Sequence, residues 1–223
     1  MIKRCVSLFA VIGLFGFTAV VSAEGGAAGQ TIAGGMSASD GSAKAGKAKS
    51  ELCHGCHGVD GISVDPTTFP NLAGQYAGYI FKQVQDFQLG NRNDDTMSAM
   101  AATVTSLEDL KDIAKYYESQ KVMKGKPTGT ALSKTGEEIY NKGNLKKGLY
   151  GCVNCHGKSG KGKSKSNSLF PIIGGQQKAY LVKQLKDLRS ARRKNDPAGL
   201  MQDIAKKLGD KDIEAVAEYL AGQ

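Results

Sequence analysis

Cys53-His54-Gly55-Cys56-His57-Gly58 is followed 99 residues later by Cys152-Val153-Asn154-Cys155-His156-Gly157. The surroundings repeat as well. Phe69-Pro70-Asn71-Leu72-Ala73-Gly74-Gln75 recurs as Phe170-Pro171-Ile172-Ile173-Gly174-Gly175-Gln176, and Tyr79 to Phe87 recurs as Tyr180 to Leu188, both at an offset of 101. Leu110 to Tyr117 returns as Ile213 to Leu220 at an offset of 103. The order is kept and the drift is small. A period of about one hundred residues marks a duplicated domain, because solenoid repeats are much shorter.

Each copy reads as helical. Ile80, Val84 and Phe87 share one helical face, as do Leu181, Leu185 and Leu188. Leu110, Ile113, Ala114 and Tyr117 form a second stripe behind Thr105 or Ser106 as cap, and Ile213, Val216, Ala217 and Leu220 repeat it. Ala45 to Cys53 and Ser133 to Lys142 are the expected helices before the motifs. No alternating run suggests a strand, so the expected class is all-α. The expected domains span 44–120 and 132–223. Gly125, Pro127 and Gly129 break the pattern in a linker over 121–131.

The chemistry of Cys-x-x-Cys-His is specific. Two thiols three residues apart on a helical turn add across the two vinyl groups of haem, and the following His then ligates the iron. A thioredoxin-like pair has no need of His next in sequence. A zinc site needs further ligands, and the only histidines are His54, His57 and His156. We therefore expect two covalently attached haem c groups, on Cys53 and Cys56 and on Cys152 and Cys155, with His57 and His156 on the irons. His54 occupies a variable position of the motif and is expected at the surface.

No His is spare for the opposite face of either iron. Met is the natural candidate, because a thioether stabilises ferrous iron and raises the potential. Met97 and Met100 follow the long helix of the first copy. Met201 is the only Met after the second motif. Pro70 and Pro171 can offer a carbonyl to the second ring nitrogen of each His. Tyr79, Tyr180, Arg92 and Arg193 recur and could bond haem propionates or serve as packing.

The N-terminus carries a targeting pattern: Lys3 and Arg4, an apolar run from Val6 to Val21, and small residues at Val21-Ser22-Ala23. We expect a signal peptide over 1–23, a Gly/Ala/Ser-rich flexible leader over 24–43, and a periplasmic location. Cys5 leaves with the signal, so the remaining cysteines all lie in the motifs.

Charge is uneven. Residues 44–120 hold 7 basic and 10 acidic side chains, whereas 121–223 hold 21 and 9. Lys158, Lys161, Lys163 and Lys165 follow the second motif and could dock an acidic partner, or form a solvated loop. Nucleic acid is not an expected ligand, since no aromatics interleave with the lysines. Positive surroundings stabilise the reduced haem, so the second domain is expected to hold the higher-potential haem.

Together these motifs resemble the cytochrome c4 family, di-haem members of the class I c-type cytochromes, from Lys44 to Gln223. The resemblance rests on Cys53 to Gly61, Phe69 to Gln75 and Leu110 to Tyr117 with their counterparts. It implies two tandem class I cytochrome c domains, each built around its haem, with His and Met on each iron. By position it implies Met97 in the first copy, with Met100 its neighbour. The second copy departs from the pattern, having Ala198 and Gly199 in place of a paired Met, and leaves Met201. The resemblance also implies a non-enzymatic electron carrier in the periplasm, between a quinol-oxidising complex and a terminal oxidase, in peripheral contact with membrane complexes. The alternative is the cytochrome subunit of a flavocytochrome c sulfide dehydrogenase, with a flavoprotein as partner. A di-haem peroxidase would need an open iron and an acid–base His, which this chain lacks.

Overall fold

The computed structural model describes residues 40–223. The expected signal and residues 24–39 of the expected leader lie outside the described residues. The first copy contributes α1 (Ala43–Lys49), α2 (Glu51–His57), α3 (Ala77–Gln88), α4 (Asp95–Ala102) and α5 (Leu107–Ser119). The second contributes α6 (Ala131–Lys142), α7 (Val153–His156), α8 (Lys178–Arg189), α9 (Leu200–Ala205) and α10 (Asp210–Ala221). Among the described residues there is no strand, only an isolated antiparallel bridge between Asn144 and Leu149.

Side-chain caps start several helices. The Ser42 hydroxyl accepts from the Ala45 N–H, and Thr130 accepts from Ser133 at the head of α6. Of the two candidate caps for α5, Ser106 is the one that acts, accepting from the Asp109 N–H at 3.3 Å. Helix formation before the first motif is broken once, at Ser50, so that α1 and α2 are separate. Ser42 and Ala43, at the end of the expected leader, already belong to the start of α1, where the Ser42 N–H donates to Asp112 at 2.6 Å.

The core of each copy is the crossing of its first and last helices, α1 on α5 and α6 on α10. Gly46 and Gly136 sit at these crossings. A β-carbon on Gly46 would collide with the Asp112 carbonyl, and one on Gly136 with the Ala215 carbonyl. Asp112 and Ala215 are equivalent in the repeat, so both crossings depend on the same backbone approach. Around them Ile80, Leu110, Ile113 and Tyr117 are buried in the first copy, and Leu181, Val216, Ala217 and Leu220 in the second. Fully burying one such Leu or Ile side chain contributes roughly 1.5–3 kcal/mol. The helix stripes expected from the sequence are these faces.

Both copies lie within one unit and pack about an approximate twofold relation. Tyr76 of the first copy, Met123 of the connecting segment and Ile172 of the second form a buried apolar cluster. Beside it the two Phe-Pro loops exchange side chains. The Gln75 amide bonds both main-chain groups of Ile172, at 2.7 and 3.1 Å. The Gln176 amide bonds both main-chain groups of Asn71, at 2.8 and 2.9 Å. Asn71 and Ile172 are equivalent positions, as are Gln75 and Gln176. Four buried backbone groups, with no helix to satisfy them, thus find partners across the interface.

Candidate haem-attachment sites

A helix places the first attachment group. On α2, Cys53 and Cys56 are three residues apart, both half-buried and both free thiols, and His57 follows at the helix end. In the second copy α7 is only four residues long, with Cys152 as its cap, Cys155 exposed and His156 at its end. A loop over 143–151 separates α6 from this motif, whereas α1 and α2 almost touch in the first copy.

Both motif histidines are buried and held alike. His57 Nδ1 donates to the Pro70 carbonyl at 2.8 Å, and His156 Nδ1 to the Pro171 carbonyl at 2.9 Å. That bond selects the tautomer whose Nε2 carries a free lone pair for a metal. Phe69 and Phe170 meet the two imidazoles edge-on, with centroids 6.3 and 6.5 Å away. Burial lowers the pKa of both histidines, against the opposing pull of the proline carbonyls. Burial therefore favours the neutral ring, the form a ligand must take. Burial likewise pushes the Cys53 thiol up and the Cys152 thiol up to about 11.

His54 is not at the surface as expected. It is half-buried, its Nε2 hydrogen-bonded to the Ser50 hydroxyl at 2.8 Å. The helical spacing of four residues brings the two together.

Met97 and Met100 both lie half-buried on α4, and Met201 half-buried on α9. Their caps relate them. Asp94 accepts from the Met97 N–H at 3.2 Å, and Asp196 accepts from the Met201 N–H at 2.9 Å. The second copy reaches this arrangement through a left-handed turn at Ala198 (φ 53°) and Gly199 (φ 69°). The extra residues that blur the sequence register are absorbed in that turn.

Tyr79, Tyr180, Arg92 and Arg193 gather across the interface. Arg92 donates to Gln83 of its own copy and to Tyr180 and Gln184 of the other, at 2.8–2.9 Å. Arg193 donates to its own Gln184 and to Tyr79 and Gln83 of the other copy, at 2.9–3.1 Å. Every hydrogen-bond partner of these two guanidiniums is neutral, the remaining one being Asn195. Burial alone would raise the Tyr180 hydroxyl's pKa, but Arg92 and Arg193 outweigh it and the net shift is downward. Arg92 is buried and Arg193 half-buried; Asp196 offsets part of the Arg193 charge, and further negative charge beside the pair would be favourable. A haem in each copy brings propionates of the required sign. With free thiols and neutral, oriented imidazoles, the residues present fit the group.

Sequence reading missed the glutamines. Gln75, Gln83, Gln176 and Gln184 sit inside the repeated segments. Recurrence of a polar side chain within an otherwise apolar stripe was the signal available. It also misjudged one lysine. Lys161 is half-buried, its ammonium bonded to the carbonyl oxygens of Met123, Gly174 and Gln223 at 2.8–3.2 Å, and burial lowers its pKa. It ties the connecting segment to the C-terminal helix and is not a free docking charge.

Duplicated helical domains with a Cys-x-x-Cys-His motif in each define a di-haem c-type cytochrome. The Cytochrome c family profile matches twice, over 43–121 and 133–223. A cytochrome c4 from Stutzerimonas stutzeri is 40% identical over 198 residues, covering 84% of this chain and 92% of the relative. The crystal structure of reduced recombinant cytochrome c4 from Pseudomonas stutzeri superposes with a TM-score of 0.76 at 41% identity, covering 82% of this chain and 98% of that one. A thiosulfate dehydrogenase electron acceptor from Stutzerimonas stutzeri (strain A1501) is 36% identical, covering 76% of this chain and 77% of its own. The chain belongs to the cytochrome c4 family. It is a di-haem electron-transfer cytochrome with two covalently bound haem c groups. Among the described residues no helix is long and apolar enough to cross a membrane.

Proposed function

We propose that the protein is a periplasmic carrier of single electrons between respiratory complexes, taking them from a quinol-oxidising complex and delivering them toward a terminal oxidase. Cys53 and Cys56 hold one haem and Cys152 and Cys155 the other, His57 and Met97 ligate the first iron, and His156 and Met201 the second. The observation that carries the reading is the duplicated hydrogen bond from each motif His to a proline carbonyl. It locks both imidazoles in the ligating tautomer and keeps them there through any change of charge. When bound, the haem iron supplies a one-electron couple at each site. His57 and Met97 would hold the first iron and His156 and Met201 the second, and the chain's part would be to orient these ligands and exclude water. Assignment of Met97 follows the cap: Asp94 stands to Met97 as Asp196 stands to Met201. Interface arginines 92 and 193 offset propionate charge, and the rigid glutamine exchange holds the two sites at a fixed separation. The expected signal peptide exports the chain before the haems are attached.

A second reading is favoured by the resemblance to thiosulfate dehydrogenase electron acceptors. On it the donor is a sulfur-compound dehydrogenase, and the cytochrome subunit of a flavocytochrome c sulfide dehydrogenase is a variant of the same role. A potentiometric titration of the purified holoprotein, followed by mixing with each donor, tests both. The carrier reading expects two reversible one-electron steps, reduction by the quinol-oxidising complex and re-oxidation by oxidase-containing membranes. Reduction by a sulfur dehydrogenase alone favours the second reading. An iron that turns over peroxide contradicts both.

A further inference from the structure

The segment that follows each motif forms a short collar beside the attachment cysteines. In the first copy the Val64 N–H donates to the Cys56 carbonyl at 3.2 Å, and in the second the Gly162 N–H donates to the His156 carbonyl at 2.8 Å. Through this collar the copies keep register at the motif offset, with Gly58 and Gly61 matching Gly157 and Gly160. Among the positions that differ, three change from apolar to basic. Val59, Ile62 and Val64 of the first collar are exposed apolar side chains, at 55%, 41% and 62% of full exposure. Their counterparts are Lys158, Lys161 and Lys163. Lys161 is occupied by main-chain carbonyls, while Lys158 and Lys163 are exposed. Lys142 and Lys146, exposed at the end of α6 and in the loop that follows, add to them. None of these four exposed lysines joins an ion pair among the described residues, unlike Lys147, Lys178 and Lys183. From Ile139 to Lys186 the chain contains ten lysines and no Asp or Glu.

We infer that the collar of the second copy is a docking surface for an acidic electron-transfer protein, and that the first collar does not serve that partner. The inference deepens the carrier reading and rests on it. Unpaired lysines around a redox centre raise the local concentration of a negatively charged partner and steer its approach. An apolar collar flanked by Asp60 and Asp65 does neither. One chain then offers two faces with different selection rules, so that a donor and an acceptor need not compete for one surface. Carboxylates around the partner's own redox centre are the chemistry that fits. Within the collar Lys158, Lys161 and Lys163 stand where the first copy has exposed apolar side chains, while Leu145 and Tyr150 of the neighbouring loop are exposed, so the vesicle arm of the test below separates a lipid surface from a protein partner.

The test uses the oxidised holoprotein, labelled with nitrogen-15 and titrated with a deca-glutamate peptide at low ionic strength. We expect amide shifts centred on Lys158 to Lys165, none over Val59 to Val64, and loss of the response in K158E/K163E. Transplanting the charge with V59K/V64K should create a second responding site. In parallel, the reduced protein is mixed with ferricyanide, which takes one electron from each ferrous haem and becomes ferrocyanide. K158E/K163E should slow this reaction about tenfold at low salt and not at high salt, whereas V59A/V64A should leave it within twofold. Shifts spread evenly over all surface lysines, or an equal response at both collars, would overturn the inference. So would binding to phosphatidylglycerol vesicles with no response to the peptide. Potentials and the two-electron count are measured on every variant. If they are unchanged, a negative result here leaves the carrier reading standing.

Discussion

The two copies place a second buried aromatic ring at the same helix crossing, but from opposite sides. In the first copy α5 supplies both rings, Tyr116 and Tyr117, 5.2 Å apart, and the facing residue on α1's end is the fully buried Ser50. In the second copy α10 supplies Tyr219, and the other ring, Tyr140, comes from α6, 5.4 Å away. Leu220 stands where Tyr117 stood, and Tyr140 where Ser50 stood. One crossing pairs Ser with Tyr and the other Tyr with Leu. The His-to-proline bonds, by contrast, differ between copies by only 0.1 Å. Packing is free to exchange which helix supplies the second ring, whereas the groups that orient a ligand are held. The surface has gone furthest, from valines to lysines.

This comparison can be broken most forcefully at Tyr140. Tyr140→Ser should lower the stability of the second copy by about 4 kcal/mol, since it empties a ring-sized space and frees the Gly157 carbonyl that the hydroxyl now bonds at 2.7 Å. Denaturant unfolding of the holoprotein measures it. The exchange account adds that S50Y alone is destabilising and that S50Y/Y117L recovers much of the loss. Full additivity of the two would show that the positions are not partners. Next in size, Gly46→Val and Gly136→Val should each cost about 3 kcal/mol, because the colliding atom is a backbone carbonyl in both. A large difference between them would mean that the crossings are not equivalent.

Smaller effects probe the interface and the charges. Gln75→Leu and Gln176→Leu should each cost about 2 kcal/mol, by leaving a buried N–H and carbonyl of the other copy unpaired. Equal costs, read by thermal unfolding, would confirm the twofold exchange. Acid distinguishes the copies further. Lys49 and the Ser42 N–H hold Asp112 below its ordinary value, so its stabilisation is present above the unfolded-state pKa and is lost as pH falls through the folded-state one. Its counterpart is Ala215. Amide exchange in α1 should therefore accelerate below about pH 4 before that in α6, and D112N should remove the difference.

Much of this architecture was legible in the sequence, for identifiable reasons. The motifs, the helix stripes and the Phe-Pro loops are local patterns, and each appears twice, so one copy corroborates the other. Even the proline carbonyl was legible, because it follows each motif at nearly constant distance. The glutamine exchange, the role of Lys161 and the Ser50–Tyr117 exchange were not. They join residues far apart in the chain, and nothing local in a Gln, Lys or Ser says where its partner lies. For Met97 over Met100 the resemblance supplied the expectation, and the matching Asp94 and Asp196 caps support it as a proposal, since the left-handed turn at Ala198 disturbs the register on which a sequence comparison depends.

The central claim is that each iron is closed on both faces, by His57 and Met97 in one copy and by His156 and Met201 in the other. Carbon monoxide binding to the fully reduced protein, counted per haem, tests it directly. The account predicts none for the native protein, one equivalent each for Met97→Ala and Met201→Ala, and none for Met100→Ala. Binding by the native protein, or an equivalent opened by Met100→Ala but not by Met97→Ala, would contradict it.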